Sequence, residues 1–82
     1  MLVTYDPEVD ASYVRLSDAS VAATDAISDL LAVDLDAAGS PVGVEVLKSP
    51  GAVTPDDETA VTRRYPGLGD AFEALRRIAQ PA

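Results

Sequence analysis

The chain has 82 residues and a mass of 8.5 kDa, which is enough for one small domain and too little for two separate cores. Hydrophobic residues make up 48% of the sequence, so we expect a packed core and not a disordered acidic segment. Cysteine and histidine are both absent, which excludes disulfides and removes the usual zinc ligands and the usual catalytic base. We therefore predict one domain over residues 1–82, with no cofactor and no metal site.

The net charge of -8 is concentrated in the first part of the chain. Residues 1–47 hold nine acidic residues and one basic residue, Arg15, whereas residues 48–82 hold five of each. A polyanionic surface repels nucleic-acid phosphates and attracts basic proteins. The charge distribution therefore predicts a basic protein partner and argues against binding of nucleic acid.

The N-terminal sequence MLVTYD has no basic region and no long apolar run, so it differs from a secretory signal peptide. A run of ~18 apolar residues, which a membrane-spanning helix would need, does not occur in the sequence. These features predict a cytoplasmic protein that does not enter a membrane.

Residues 1–48 show apolar side chains at a spacing of two between short turn sequences, which is typical of half-buried β-strands. The pattern predicts an antiparallel β-meander of four to five strands. The predicted strands are Leu2–Tyr5, Ala11–Ser17, a weaker Val21–Ser28, Leu30–Asp36 and Val42–Lys48.

The last two predicted strands form the best-defined hairpin, because Gly39 between them supplies the left-handed residue that a tight loop needs. One face of the predicted pair is entirely aliphatic and places Leu31 opposite Val46, Val33 opposite Val44 and Leu35 opposite Val42. The other face is mixed and places Leu30 opposite Leu47, Ala32 opposite Glu45 and Asp34 opposite Gly43. A slip of one residue would mix both faces, so the pattern specifies the register.

After residue 48 the pattern changes, and it predicts a helical segment over residues 54–80. Thr54 is the expected N-cap of a first helix, with Pro55 at its first position. A second helix is expected to begin at Asp70, with Glu73 completing a capping box. Its apolar residues fall on one stripe and are Ala71, Phe72, Leu75, Ile78 and Ala79. The sequence therefore predicts an α+β fold in which the last helix packs on one face of the sheet.

The opposite sheet face, with Leu30, Leu47 and Tyr13, has no obvious cover within the chain. An uncovered and partly apolar face on a small domain is typical of a self-association surface. We therefore expect a homodimer.

Three carboxylates, those of Asp6, Glu8 and Asp10, alternate in the first turn and resemble the start of a calcium-binding loop. The resemblance fails at Ala11 and Ser17, where such a loop needs a glycine and a bidentate glutamate. We interpret the segment as an acidic turn in which Asp6 accepts backbone hydrogen bonds.

A second group of carboxylates consists of Asp34 and Asp36 on one strand and Glu45 on the next. Such groups can share a proton or hold Mg²⁺, although no histidine, lysine or cysteine stands nearby as a catalytic partner. A metal-assisted hydrolase that uses either carboxylate group is therefore kept as the alternative function.

The basic residues are interpreted as structural. Arg15 is expected to pair with a carboxylate across the sheet. The pairs at 63–64 and 76–77 are placed at helix C-termini, where cations complement the helix dipole. A DNA-binding antitoxin that uses these four arginines is the third and lowest-ranked hypothesis.

Several stretches of the first half resemble the YuzE-like bacterial proteins, a domain-of-unknown-function family. These stretches are VTYDPEVDA at 3–11, YVRLSDA at 13–19, ISD at 27–29, VDLDAAG at 33–39 and VGVEVL at 42–47. The resemblance implies a small antiparallel sheet with a C-terminal helical segment, no established catalytic residues and an antitoxin-like binding role. Ser12 departs from the large aliphatic residue usual in the family, which is expected to weaken the packing of the second strand. The segment after Lys48 matches no family pattern.

These observations together predict a small acidic interaction module without enzymatic activity, which binds a basic protein partner. The residues of its candidate interaction surface are Asp6, Glu8, Asp10, Tyr13, Arg15, Asp34 and Glu45.

Overall fold

The computed structural model describes residues 1–79 and contains a five-stranded antiparallel sheet followed by two α-helices. The strands are β1 (Leu2–Asp6), β2 (Ala11–Arg15), β3 (Ala23–Ala26), β4 (Leu31–Leu35) and β5 (Pro41–Val46). The helices are α1 (Pro55–Thr62) and α2 (Gly69–Ala79), and short 3-10 turns occur at Pro50–Ala52 and Pro66–Leu68. The predicted fold class is confirmed, while the end of the predicted helical segment at residue 80 lies outside the described residues.

The strand order in the sheet is β1-β2-β5-β4-β3, which differs from the order of a simple meander. β3, β4 and β5 follow one another as predicted, but β5 then pairs with β2, and β3 lies at the far edge. Burial explains this order: four of the six residues of β5 are buried, whereas β3, with the sequence ATDA, has none. The most apolar strand therefore lies inside the sheet and the most polar strand at its edge.

The register predicted for β4 and β5 is confirmed at Leu31 with Val46 and at Val33 with Val44. It is wrong at the hairpin end, where Leu35 pairs with Pro41, because an irregularity after Asp34 shifts the pairing by one residue. The hairpin loop itself is as expected. Gly39 has a φ of 82°, and Asp36 Oδ1 accepts hydrogen bonds from the amides of residues 38 and 40, each at 2.9 Å.

The first helix begins as predicted, with Thr54 as its N-cap, and Asp57 completes a capping box that was not predicted. The Thr54 hydroxyl accepts a hydrogen bond from the Asp57 amide, and the Asp57 carboxylate accepts one from the Thr54 amide at 2.9 Å. Lys48 Nζ reaches the same carboxylate at 2.6 Å. Burial disfavours the charged carboxylate, but the hydrogen bonds from Lys48 and Thr54 outweigh that effect, so the pKa of Asp57 lies below its usual value.

The predicted start of the second helix is wrong by one residue. The 3-10 turn Pro66–Leu68 leads directly into α2 at Gly69, so Asp70 lies inside the first turn and is not the N-cap. The predicted capping box is therefore wrong as well, and Glu73 instead accepts a hydrogen bond from Arg77 at 2.9 Å, one helical turn later.

The core lies between the helices and one face of the sheet. Phe72 and Leu75 of α2 are fully buried, whereas Ile78, expected on the same stripe, is 48% exposed because the last turn of α2 lies beyond the core. The core residues are Val14, Leu31, Val33, Val44, Val46, Val61, Leu68, Ala71, Phe72 and Leu75. Neither helix of the described residues has the length and apolar character needed to cross a membrane.

Candidate functional site

Four of the seven predicted surface residues lie together on the sheet face that the helices leave open, which we call the helix-free face. Tyr13 on β2 pairs with Glu45 on β5, and Arg15 pairs with Gly43. Asp34 on β4 pairs with the same Gly43 from the other side. Because alternate residues of a strand share a face, these side chains stand opposite the buried valines of the same strands.

A hydrogen-bonded network crosses the helix-free face and centres on Asp34. Tyr13 Oη donates to Asp34 Oδ2 at 2.8 Å, and Thr24 Oγ1 donates to Asp34 Oδ1 at 2.7 Å. The network thus joins β2, β4 and β3, and it passes over β5 at Gly43. A side chain at Gly43 would overlap the Tyr13 ring, so this glycine makes room for the tyrosine.

The tyrosine of this network is held in its protonated form. Partial burial, the hydrogen bond to Asp34 and the negative charge of that carboxylate together raise the pKa of Tyr13 to about 12. The Tyr13 hydroxyl therefore keeps its proton, and with it the hydrogen bond that it donates to Asp34, to a higher pH than an ordinary tyrosine does. This chemistry suits a structural or binding role for the network.

The prediction for Arg15 is wrong. Its guanidinium lies 3.8 Å from Asp18, three residues further along the chain, and does not pair with a carboxylate across the sheet. Both side chains are well exposed, so the contact is expected to contribute little to stability. Across the sheet, Arg15 faces Gly43, which has no side chain to meet it.

The other three predicted surface residues are Asp6, at the end of β1, and Glu8 and Asp10, in the turn between β1 and β2. Asp6 Oδ1 accepts a hydrogen bond from the Glu8 amide at 3.0 Å, which confirms the acidic turn. Asp10 has a φ of 52°, and its carboxylate accepts a hydrogen bond from Tyr5 Oη at 2.7 Å. This turn projects from one end of the sheet and is separate from the Asp34 network.

Two of the three sheet carboxylates proposed for the alternative hydrolase are engaged within the fold, whereas the third, Glu45, forms no ion pair or side-chain hydrogen bond within residues 1–79. Asp34 accepts the two hydrogen bonds of the network, and Asp36 closes the hairpin loop. Within residues 1–79, the structure shows no group of three or more metal-ligating side chains that could hold an ion.

The arginines of the helical segment make ion pairs that the sequence analysis missed. Arg64 donates to Asp25 Oδ1 at 2.9 Å, and Tyr65 donates to Asp25 Oδ2 at 2.7 Å. Mainly because of the hydrogen bond from Tyr65, the pKa of Asp25 lies below its usual value. Arg76 pairs with Glu58 across the two helices. Three of the four arginines proposed for DNA binding, those at 64, 76 and 77, are thus paired with carboxylates.

The ion pairs leave the sheet with most of the uncompensated charge. Five of the fourteen acidic residues pair with a cation in the described part of the chain, and nine do not. Seven of these nine belong to the sheet-forming half, namely Asp6, Glu8, Asp10, Asp29, Asp34, Asp36 and Glu45. The helical segment contributes only Asp56 and Asp70.

Sequence reasoning missed Thr24 and Gly43 as parts of the site. An isolated glycine inside a strand often marks a close approach of another group, so Gly43 carried a usable signal. Thr24 carried none, because its partnership with Asp34 depends on the position of β3 at the edge beside β4.

A family model described as a protein of unknown function, DUF2283, matches residues 2–49. No curated protein and no solved structure gave a significant match. The matched region contains all five strands and the complete helix-free face. The chain therefore belongs to the DUF2283 family, whose function is unknown.

Proposed function

We propose that this protein is a small, non-enzymatic interaction module of the YuzE-like type in the bacterial cytoplasm, and that it binds a basic protein in the manner of an antitoxin. The binding surface consists of the helix-free face and the acidic turn at 6–10. The observation that carries the proposal is the set of seven carboxylates on the sheet half that have no cationic partner within residues 1–79.

Electrostatics supports a basic partner over a nucleic acid or an anionic surface. Carboxylates without a cationic partner create a negative potential, which accelerates the encounter with a positively charged protein. Such attraction between exposed charges weakens as salt is added, because the Debye length falls to about 8 Å at physiological ionic strength. Binding should therefore be strongest at low salt.

The test compares two double variants that change the net charge equally. Glu8→Gln with Glu45→Gln removes two unpaired carboxylates from the proposed binding surface, whereas Asp56→Asn with Asp70→Asn removes the two unpaired carboxylates of the helical segment. The immobilised proteins are exposed to a bacterial lysate at low and at moderate salt. We expect the wild type and the helical-side variant to retain a basic protein at low salt, and the sheet-side variant to retain much less.

Absence of any retained basic protein at low salt would overturn the proposal. Equal losses in both variants would show that only net charge matters, and would overturn the assignment to the sheet side. Circular dichroism of each variant checks that the fold is intact.

A further inference from the structure

A shallow groove of about 170 Å³ lies at the end of the helix-free face where β5 leaves the sheet. Its floor is made by two small side chains, Ala26 on β3 and Ala32 on β4, which are direct partners in the sheet. Ala32 is also the partner of Glu45 on β5. One row across the sheet thus passes from a carboxylate to two methyl groups, and this change in side-chain size creates the groove.

Two leucines form the apolar wall of this groove. Leu30 and Leu47 are neighbours, because the Leu47 amide donates to the Leu30 carbonyl at 2.8 Å. Each is 43% exposed, so both leave apolar surface in contact with water. Covering this surface with an apolar group of a partner would remove it from water, which is favourable.

Two carboxylates border the same groove. Glu45 rises beside the alanine floor, and Asp29 lies in the turn before β4. Neither forms an ion pair or a side-chain hydrogen bond within residues 1–79, in contrast to Asp34 on the same face. Both carboxylates are therefore available to a cation from outside the chain.

We propose that this groove binds a lysine or arginine side chain from a flexible segment of the basic partner, together with an apolar residue next to it. Lysine and arginine have aliphatic stems that pack on apolar surface while the charged head stays in water. The two leucines accept the stem and the neighbouring apolar residue, and Glu45 and Asp29 accept the head. The inference rests on the proposed function and names the part of the partner that is recognised.

The test uses two short peptides of equal charge as probes, Gly-Lys-Leu-Lys-Gly and Gly-Lys-Ser-Lys-Gly, each acetylated and amidated. Each is titrated into ¹⁵N-labelled protein at low salt and followed by amide chemical shifts. We expect saturable shifts at Ala26, Leu30, Ala32 and Leu47, with tighter binding of the leucine peptide. The Asp29→Asn with Glu45→Gln variant should bind about three- to tenfold more weakly.

Two further variants separate the apolar contribution from the charge. Leu30→Ser with Leu47→Ser should bind both peptides alike, since the wall that distinguishes them is gone and both residues are exposed enough for the fold to persist. The Asp56→Asn with Asp70→Asn variant should bind as the wild type does, because its lost charges lie on the helical segment.

Three results of the peptide titrations would overturn the binding proposed for the groove. They leave the proposed function standing, because the lysate experiment tests that function separately. These are shifts that map to the acidic turn at 6–10, equal binding of the two peptides by the wild type, and no binding of either peptide. Groove resonances that shift with protein concentration and do not respond to peptide would assign the groove to a second copy of the chain, which also overturns the inference.

Discussion

At the scale of single residues, the feature that organises the helix-free face is the relation between Tyr13 and Gly43. The tyrosine crosses β5 only because residue 43 has no side chain, and its hydroxyl can then reach Asp34. A glycine usually weakens a strand, since it adds flexibility and buries no side chain. At this position it permits a hydrogen bond that joins β2 to β4 across β5.

Substitution of Gly43 tests this relation. Gly43→Ala should displace the Tyr13 ring and break its hydrogen bond to Asp34, which we expect to lower the free energy of unfolding by about 1–2 kcal/mol. Urea denaturation measures the change. In a Tyr13→Ala background the same substitution should cost much less, because nothing remains for the new methyl group to displace. An equal loss of the free energy of unfolding in both backgrounds would show that Gly43 does not make room for Tyr13.

The raised pKa of Tyr13 predicts a dependence of stability on pH. Folding raises the pKa from 10.0 to about 12, so the folded protein holds this proton more tightly than the unfolded chain does. The resulting stabilisation is fully present below pH 10 and is lost as the pH rises through about 12.

Denaturation of the wild type and of Tyr13→Phe at several pH values checks this prediction. The free energy of unfolding of the wild type should fall more steeply above pH 10 than that of the variant. The free energy of unfolding of both proteins still falls as the pH rises, because hydrogen bonds to Asp10 and Asp25 also raise the pKa of Tyr5 and Tyr65. If the free energy of unfolding fell equally steeply with pH in both proteins, folding would not raise the pKa of Tyr13.

At the scale of secondary structure elements, α2 is the element that seals the core. Phe72→Ala removes a fully buried ring and should cost about 3–5 kcal/mol, whereas Ile78→Ala, at a half-exposed position on the same helix, should cost less than about 1 kcal/mol. Thermal and urea denaturation compare the two. If Phe72→Ala does not fold, Phe72→Leu gives a smaller change of the same sign. A larger cost at Ile78 than at Phe72 would place the core elsewhere.

Elements differ in how well local sequence specified them. The first helix was placed correctly because Thr54, Pro55 and Asp57 act within one turn of each other. The second was misplaced at its start because the 3-10 turn Pro66–Leu68 continues directly into it. Ser12 shows a similar limit. It was expected to weaken the packing of β2, yet it is buried and donates a hydrogen bond to the Lys48 carbonyl at 3.0 Å, 36 residues away in the chain.

At the scale of the whole molecule, the helices cover only one side of the sheet, and the homodimer expected from the sequence stays a prediction. Leu2, Leu30 and Leu47 remain between 43% and 61% exposed, all outside the core. Light scattering at micromolar concentration should give twice the chain mass of 8.5 kDa. A monomer would contradict the prediction. A dimer formed through the helix-free face should dissociate when the leucine peptide is added, since both would need the same apolar surface.

Patterns in the amino-acid sequence correctly predicted the α+β fold class, the aliphatic register of Leu31 and Val33 against β5, the Gly39 turn and the Thr54 N-cap of α1. Each depends on side-chain alternation or on contacts between residues close in the chain, which a linear pattern records. Three features became visible only in the folded chain: β5 lies beside β2, Arg64 reaches Asp25, and Tyr13, Thr24 and Asp34 form one network. These pairings join distant segments, and they follow from the competition among all five strands for the buried positions of one sheet.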